Sequence, residues 1–178
     1  IMQRMSGIAT TTARYQKQLD GLHTKVLDTR KTTPGMRMLE KEAVKIGGGV
    51  NHRIGLFDMI LIKDNHVDFA GGIIPAVERA RAYCREKGLD LKVEVETRNS
   101  AEIDEALKAG ADRIMLDNFT VEATREAVKQ IASRAEIESS GGITIENLRQ
   151  YGECGVDFVS VGALTHSVKG LDMSFKAY

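Results

Sequence analysis

The segment at residues 91–118, LKVEVETRNSAEIDEALKAGADRIMLDN, decides the fold because it holds a complete strand, helix and strand. A run of alternating apolar and charged residues at 91–96 precedes a helical pattern at 100–109, which Gly110 ends, and a mostly apolar run follows at 113–116. A helix between two strands is the crossover connection that parallel strands require. The segment therefore predicts one unit of a parallel α/β structure.

The same unit recurs along the chain. Further short apolar runs lie near residues 25, 60, 137 and 160, with helical patterns between them, and a weak seventh run lies at 173–175. Each of the first six runs ends on polar, charged or glycine residues. Polar residues at the carboxyl ends of successive parallel strands are typical of a β/α barrel with its active site at that face. We expect one barrel domain over residues 1–178.

Composition excludes several functional classes. The 178 residues carry 25 Lys and Arg against 25 Asp and Glu, so no net field favours nucleic acid or a membrane surface. No apolar run approaches the roughly 20 residues of a membrane span. Cys84 and Cys154 are far apart and lack metal-binding spacing, which favours free thiols in a reducing cytoplasm. The start, IMQR, has no signal-peptide pattern, and we expect a missing N-terminal part.

Cations gather at the ends of the first two strands and in the connection between them. They are Arg30, Lys31, His52, Arg53 and Lys63. In a barrel these ends meet at one mouth, where five cations would repel each other without an anionic ligand. Arginine suits bidentate recognition of carboxylate or phosphate, and lysine suits a point contact. The alternative is that some are surface charges paired with Asp28, Asp58 or Asp64.

Carboxylates end the third and fourth strands. Glu96 and Asp117 would lie close together, and two oxygen ligands suit Mg²⁺ completed by water and phosphate. They could equally bind ribose hydroxyls, stabilise a cationic sugar transition state, or pair with the lysines opposite. Glu94, two residues earlier, should lie deeper in the barrel and needs a partner such as Lys63 or Lys31.

Glycine-rich loops follow the fifth and sixth strands. The first reads SSGGIT at 139–144 and leads into a predicted helix capped by Thr144, and the second reads GALT at 162–165. Backbone N–H groups in such loops can approach a phosphate closely. Loops after the last strands are the usual phosphate site of a barrel. The two loops together therefore predict a phosphate site.

The four histidines differ in how strongly the sequence indicates a functional role for them. His52, beside Arg53, is the best functional candidate. His66 either lines the mouth or bonds to the backbone, and His23 and His166 are predicted to be structural. No histidine or cysteine cluster has zinc spacing, and no serine–histidine–acid arrangement is legible.

These motifs together resemble a known family. In chain order they are SGIAT (6–10), DTRKT (28–32), GGGVNHR (47–53), IKDNH (62–66), EVE (94–96), LDN (116–118), SSGGI (139–143) and GALTHS (162–167). The chain resembles the C-terminal domain of quinolinate phosphoribosyltransferase, also called nicotinate-nucleotide pyrophosphorylase (carboxylating). The resemblance implies an incomplete α/β barrel of about seven strands, preceded in the family by an α/β sandwich domain that we expect to be absent here.

The resemblance also implies a reaction. Quinolinate and phosphoribosyl pyrophosphate would give nicotinate mononucleotide, pyrophosphate and CO₂, with Mg²⁺, in NAD biosynthesis. The five cations would surround the quinolinate carboxylates and neighbouring phosphates. The 5′-phosphate would be held by Ser140, Gly141, Gly142 and Gly162. Lys63, Glu96 and Asp117 would be catalytic, and the two acids would face ribose and metal in an order that spacing leaves open. A homodimer or larger homo-oligomer is implied, in which the partner subunit adds an arginine to the pocket.

Two rival functions remain at this point. The first is a paralogous phosphoribosyltransferase acting on nicotinate or another ring acid, which would need fewer cations because it meets one carboxylate. The second is a noncatalytic barrel that binds a phosphorylated ligand. The paired acids argue against it, since they weaken phosphate binding unless a metal intervenes.

Overall fold

A six-stranded parallel sheet forms the centre of the computed structural model, which describes residues 1–177. The strand order across the sheet is β1-β6-β5-β4-β3-β2, and every neighbouring pair is parallel. The strands are β1 Lys25–Leu27, β2 Ile60–Ile62, β3 Val93–Thr97, β4 Arg113–Asp117, β5 Glu136–Ser140 and β6 Phe158–Ser160. The predicted α/β fold is thereby confirmed.

Helices connect the strands and cover the outside of the sheet. They are α1 Met2–Gln18, α2 Arg37–Ile46, α3 Asp64–Ala70, α4 Ile73–Lys87, α5 Ser100–Lys108, α6 Val121–Ile131, α7 Leu148–Gly152 and α8 Ala163–His166. The short α3 was not expected from the sequence. The helix predicted to begin at Thr144 begins only at Leu148, because the Thr144 N–H donates to the Asn147 side chain (2.8 Å) in a preceding turn.

The sheet curls but does not close, as an incomplete barrel requires. Strands β1 and β2 are its two edges. Beside β1, Val50 takes the place of a strand, since its N–H donates to the Val26 carbonyl (2.8 Å) and its own carbonyl accepts from Asp28 (3.2 Å). The seventh strand predicted at 173–175 is wrong. Met173 and Phe175 are exposed and have no core to pack against.

Alternation along the strands separates two environments. On β3 and β4, Val93, Val95, Ile114 and Leu116 are fully buried in the core cluster formed with the surrounding helices. The alternate residues, such as Glu94, point to the barrel interior, where polar side chains contact one another. Barrel interiors are more often filled by branched apolar layers. In this protein, charged and polar side chains occupy part of the barrel interior.

Two expectations about the chain as a whole can be compared with the structure. Within residues 1–177, no helix is both long and apolar enough to cross a membrane. Cys84 and Cys154 are free thiols, as predicted, and both are buried.

Candidate active site

A cavity of about 670 Å³ lies at the carboxyl ends of the strands. This volume is within the range of sites for small molecules and cofactors. All residues predicted for the site line it: Arg30, Lys31, His52, Arg53, Lys63, Glu96, Asp117, Ser140, Gly141, Gly142 and Gly162. The structure thus brings together residues that are up to 132 positions apart, while their roles in binding and catalysis stay predictions.

Three cations of the cavity have no anionic partner. Within residues 1–177, no carboxylate lies within ion-pair distance of Arg30, Lys31 or Arg53. The Nε of Arg30 is buried without a hydrogen-bond partner. Burial lowers the pKa of Arg53, and the charge of Arg30 lowers it further. Arg30 and Arg53 are half-buried and repel each other, which is costly without a counter-charge, so this side of the cavity is suited to an anion.

The two predicted metal ligands each keep one oxygen engaged by the protein. Lys63 Nζ donates to Glu96 Oε2 (2.6 Å), and Asn118 Nδ2 donates to Asp117 Oδ2 (2.7 Å). Among residues 1–177, no side chain or backbone group donates to the other oxygen of either carboxylate. Mg²⁺ is usually held by one or two carboxylates together with water and substrate phosphates, so this donor set fits the ion.

The expected partner of Glu94 was wrong. Lys63 pairs with Glu96, and Glu94 instead faces His52, whose Nε2 lies 3.0 Å from Glu94 Oε2 and 3.4 Å from Glu138 Oε2. Both glutamates are fully buried. Glu138 also accepts from the Ser160 hydroxyl and lies 3.4 Å from Arg113 Nη1. We call His52, Glu94 and Glu138 the His52 cluster.

The His52 cluster retains a proton at neutral pH. Burial lowers the pKa of His52, but the carboxylates of Glu138 and Glu94 outweigh it and raise the pKa to about 9. The Arg53 N–H works against a doubly protonated ring, because it donates to His52 Nδ1 (2.7 Å). That contact places the ring proton on Nε2. Burial, and then the charge of Glu138, raise the pKa of Glu94 to about 7.

The first glycine-rich loop has a backbone that only glycine adopts easily. Gly141 and Gly142 have φ values of 99° and 58°. A Cβ on Gly141 would lie 2.2 Å from Asn118 Oδ1, whereas a Cβ on Gly142 would meet nothing within 4 Å. Asn118 is itself held by its N–H, which donates to the Ser140 carbonyl (2.8 Å). The loop therefore packs directly on the residue that contacts Asp117.

The second glycine-rich loop approaches a histidine. A Cβ on Gly162 would lie 3.0 Å from the His166 ring and 3.5 Å from Lys31. His166 lines the cavity, so the structural role predicted for it is not what its position indicates. His66 bonds to the backbone, accepting the Lys63 N–H at Nδ1 (3.0 Å). His23 lies outside the cavity, 3.7 Å from Asp157.

Sequence reasoning missed several cavity residues. Glu138, Asn118, Ser160 and His166 all line it. Glu138 had a readable signal, because Glu136 and Glu138 alternate on β5 as Glu94 and Glu96 do on β3. An acid at the inner position of a buried strand needs a partner, and Glu138 has His52 and Arg113 beside it.

Comparison with known proteins identifies the relatives of this architecture. The family described as "Quinolinate phosphoribosyl transferase, C-terminal domain" matches residues 8–176. The chain is 48% identical over 190 residues to the chloroplastic nicotinate-nucleotide pyrophosphorylase (carboxylating) of Arabidopsis thaliana, covering 98% of this chain and 54% of that protein. It is 48% identical over 174 residues to the probable nicotinate-nucleotide pyrophosphorylase (carboxylating) of Bacillus subtilis, covering 98% and 59% respectively.

Solved structures with the same family names are similar to this chain in fold as well as in sequence. NadC from Streptococcus pyogenes superposes with a TM-score of 0.92 at 46% identity, covering 98% of this chain and 60% of that one. The nicotinate-nucleotide pyrophosphorylase from Francisella tularensis superposes with a TM-score of 0.92 at 45% identity, covering 97% and 60%. The chain therefore spans little more than half the length of the curated relatives it matches.

Proposed function

Because the chain belongs to the family of the quinolinate phosphoribosyl transferase C-terminal domain, we propose that it carries the reaction site of a nicotinate-nucleotide pyrophosphorylase (carboxylating). The reaction joins quinolinate to phosphoribosyl pyrophosphate and releases pyrophosphate and CO₂. Its product, nicotinate mononucleotide, leads to NAD. The family membership and the composition of the cavity support this proposal.

The observation that carries it is the unpaired cationic side of the cavity. Arg30 has a buried Nε without a partner, and Arg30 and Arg53 repel each other with no carboxylate of residues 1–177 within ion-pair distance of either. A dianionic ring acid would satisfy both guanidinium groups and Lys31 at once. A monocarboxylate would leave part of that charge uncompensated, which favours quinolinate over nicotinate.

The acidic side of the cavity suits the other half of the reaction. When the pyridine nitrogen attacks the anomeric carbon and pyrophosphate leaves, positive charge develops on the ribose. Glu96 and Asp117 would stabilise that charge or hold the ribose hydroxyls, and they are the residues that would hold Mg²⁺. Bound there, Mg²⁺ would neutralise charge on the pyrophosphate leaving group.

The remaining groups position the substrates and assist the later step. Backbone N–H groups of Ser140, Gly141, Gly142 and Gly162 would bind the 5′-phosphate. After bond formation the ring nitrogen is cationic, so the electron pair left at the adjacent carbon by CO₂ loss is stabilised without a side-chain nucleophile. Lys63 lies beside Glu96, where it can also contact a carboxylate or phosphate of the substrates.

The direct test is release of labelled CO₂ from carboxyl-labelled quinolinate by the natural full-length protein. We expect release only when phosphoribosyl pyrophosphate and Mg²⁺ are both present. A folded protein that releases no CO₂ under those conditions contradicts the proposal. The same protein tested with nicotinate then decides whether the paralogous transferase is the better assignment.

A noncatalytic phosphate-binding barrel is the rival from another class. Glu96 and Asp117 at the mouth disfavour it, since two carboxylates weaken phosphate binding in the absence of a cation. Calorimetric titration with phosphoribosyl pyrophosphate separates the two. Binding that is strengthened by Mg²⁺ supports the enzyme, and binding that is indifferent to Mg²⁺ supports the rival.

We also propose a homodimer or larger homo-oligomer and a reducing compartment such as the cytoplasm. Large apolar side chains are exposed near the cavity, on the loop after Arg53 (Leu56 and Phe57) and on α3 after Lys63 (Phe69). Exposed apolar groups of this size are typical of surfaces that another protein covers. Sedimentation at several protein concentrations tests the assembly. Relatives from Arabidopsis thaliana and Nicotiana tabacum are named as chloroplastic and mitochondrial proteins, respectively, so fractionation of the source cell tests the compartment.

A further inference from the structure

Two unpaired arginines of the cavity lie on separate loops. We call these loops the β1 loop, residues 29–33, and the Arg53 loop, residues 53–58. The chain stretches that lead into them are joined by the Asp28 N–H, which donates to the Val50 carbonyl (3.2 Å). Further along, within residues 1–177, no hydrogen bond joins the β1 loop directly to the Arg53 loop. The sheet therefore does not set the spacing of the two arginines.

Neither arginine is fixed firmly by its own side chain. The Nε of Arg30 is buried without a hydrogen-bond partner. The guanidinium group of Arg53 makes one long hydrogen bond within residues 1–177, from Nη1 to the Met59 carbonyl (3.4 Å). Burial lowers the pKa of Arg53, and the charge of Arg30 lowers it further, so the two groups repel each other. Their placement in the cavity depends on where their backbones are held.

Arg37, the first residue of α2, donates hydrogen bonds to both loops. On the β1 loop, its Nη2 donates to the Arg30 carbonyl (3.3 Å) and its Nε donates to the Thr32 hydroxyl (3.0 Å). On the other loop, its Nη1 donates to the carbonyl of Ile54, which follows Arg53 directly (3.1 Å). Within residues 1–177, Arg37 is the only residue that hydrogen-bonds to both loops.

The backbone that Arg37 holds is itself well ordered by hydrogen bonds. The Ile54 N–H donates to Asp58 Oδ2 (2.7 Å), so both backbone groups of Ile54 are engaged. In the β1 loop, the Thr32 N–H also donates to the Arg30 carbonyl (2.9 Å). A planar guanidinium group presents its donors in a fixed arrangement. A rigid fork between two ordered segments holds them at one separation.

The stability of α2 does not explain an arginine at this place. The helix dipole disfavours a cation in the first turn of a helix. Arg37 is half-buried, and no carboxylate of residues 1–177 lies within ion-pair distance of it. Arg37 also does not line the cavity. Its three hydrogen bonds to the two loops are what its position achieves.

We infer that Arg37 is a positioning residue, which fixes the spacing of Arg30 and Arg53 and thereby the preference of the site for a ring acid with two carboxylates. A dicarboxylate needs both guanidinium groups at one separation, whereas a single carboxylate can be bound by either group alone. Arg37 acts through the backbones of the two loops. The identity of the ligand rests on the proposed function, while the hydrogen bonds of Arg37 stand independently of it.

Arg37→Gln in the natural full-length protein removes the bridge, and Arg81→Gln is its matched control. Arg81 is a half-buried arginine of α4 that also donates to the carbonyls of two loops, at Leu91 (3.4 Å) and Gly110 (2.9 Å). These loops precede β3 and β4, at the opposite end of the sheet from the cavity. Arg81 in addition pairs with Asp112 (2.7 Å), so its loss should destabilise the protein at least as much.

The two substrates should respond differently to the loss of the bridge. We expect Arg37→Gln to raise the KM for quinolinate about tenfold, as loss of one or two hydrogen bonds would, with little change in the KM for phosphoribosyl pyrophosphate. Competition binding should show the preference for quinolinate over nicotinate falling by a similar factor. Arg81→Gln should change none of these quantities. Equal rises in both KM values, an unchanged preference, or the same change in Arg81→Gln overturns the inference.

Arg37→Lys separates the bridge from the charge, and it takes the place of Arg37→Gln if that variant fails to fold in thermal unfolding. Lysine keeps the positive charge but lacks the planar fork that reaches three acceptors. We therefore expect Arg37→Lys to retain the weakened binding of quinolinate. Full recovery of the unmodified KM in Arg37→Lys would show that charge alone is sufficient, and it would overturn the bridging role.

Hydrogen exchange without substrate separates this role from the proposed function. The amides of Thr32 and Ile54 are each bonded within their own loop and should be protected in the unmodified protein. Both should exchange faster in Arg37→Gln, and neither should change in Arg81→Gln. Unchanged exchange in Arg37→Gln overturns the positioning role. Faster exchange there, in a protein whose unmodified form binds no quinolinate, refutes the proposed function and leaves the bridge between the loops standing.

Discussion

Replacing Gly141 by alanine tests how the first glycine-rich loop supports the site. Gly141 has φ 99°, and its added Cβ would lie 2.2 Å from Asn118 Oδ1 and 3.0 Å from the Asn118 backbone N. Asn118 cannot move away freely, because its N–H is bonded to the Ser140 carbonyl and its amide to Asp117. Gly142, with φ 58° and nothing within 4 Å of its Cβ, provides the control.

The expected loss of stability has two parts, the backbone strain at the glycine position and the steric contact with Asn118. A left-handed backbone costs a non-glycine residue about 1–2 kcal/mol, which is the whole expected effect of Gly142→Ala. Gly141→Ala adds the displacement of Asn118 and loss of its hydrogen bond to the Asp117 carboxylate, about 1.5–3 kcal/mol for a bond to a charged group. The difference between the variants should be about 2 kcal/mol, or about 4–8 °C in Tm for a chain of this size.

Denaturant titration of both variants beside the unmodified protein measures this difference. We expect Gly141→Ala to unfold at clearly lower denaturant than Gly142→Ala, with the same slope for all three proteins. Equal destabilisation of the two variants would show that backbone strain alone accounts for the effect. It would refute the reasoning that the loop packs rigidly on Asn118.

Three further predictions concern buried charge, pH and turnover. Lys41→Ala should destabilise the protein by about 3–5 kcal/mol because it leaves Asp28 buried and unpaired. The double variant Asp28→Asn/Lys41→Met should cost less. Equal losses of unfolding free energy in the two variants, measured by chemical denaturation, would refute this prediction. Burial raises the pKa of Asp58, but the Ile54 and Gly55 N–H groups outweigh it and hold the pKa below its usual value. The stability that Asp58 contributes is therefore present above about pH 4 and lost as pH falls through the folded pKa, and Asp58→Asn should flatten this acid limb in pH-dependent unfolding. Lys63→Ala or Glu96→Ala should lower turnover in the full-length enzyme by about a hundredfold, and near-normal turnover removes that residue from the catalytic set.

Most of the fold was predictable because its signals are local. The runs near β3, β4 and β5 combine apolar residues with polar ends, and the helices between them have regular apolar spacing. The failures are also physical. Residues 173–175 have an apolar pattern but no surface to bury it against, and α3 lacks an apolar stripe strong enough to predict a helix. A local pattern forms the predicted strand or helix only where tertiary packing stabilises that element.

The sequence by itself determined the parallel α/β architecture and the set of charged and glycine residues at the strand ends, because strand period, crossover length and chain order are local properties. Only the tertiary structure decided which charges meet. Lys63 pairs with Glu96, and Glu94 shares His52 with Glu138, because strand register sets the height of each side chain inside the barrel. The order of residues does not specify which side chains on different strands lie within contact distance. Those contacts are set only when the sheet is assembled.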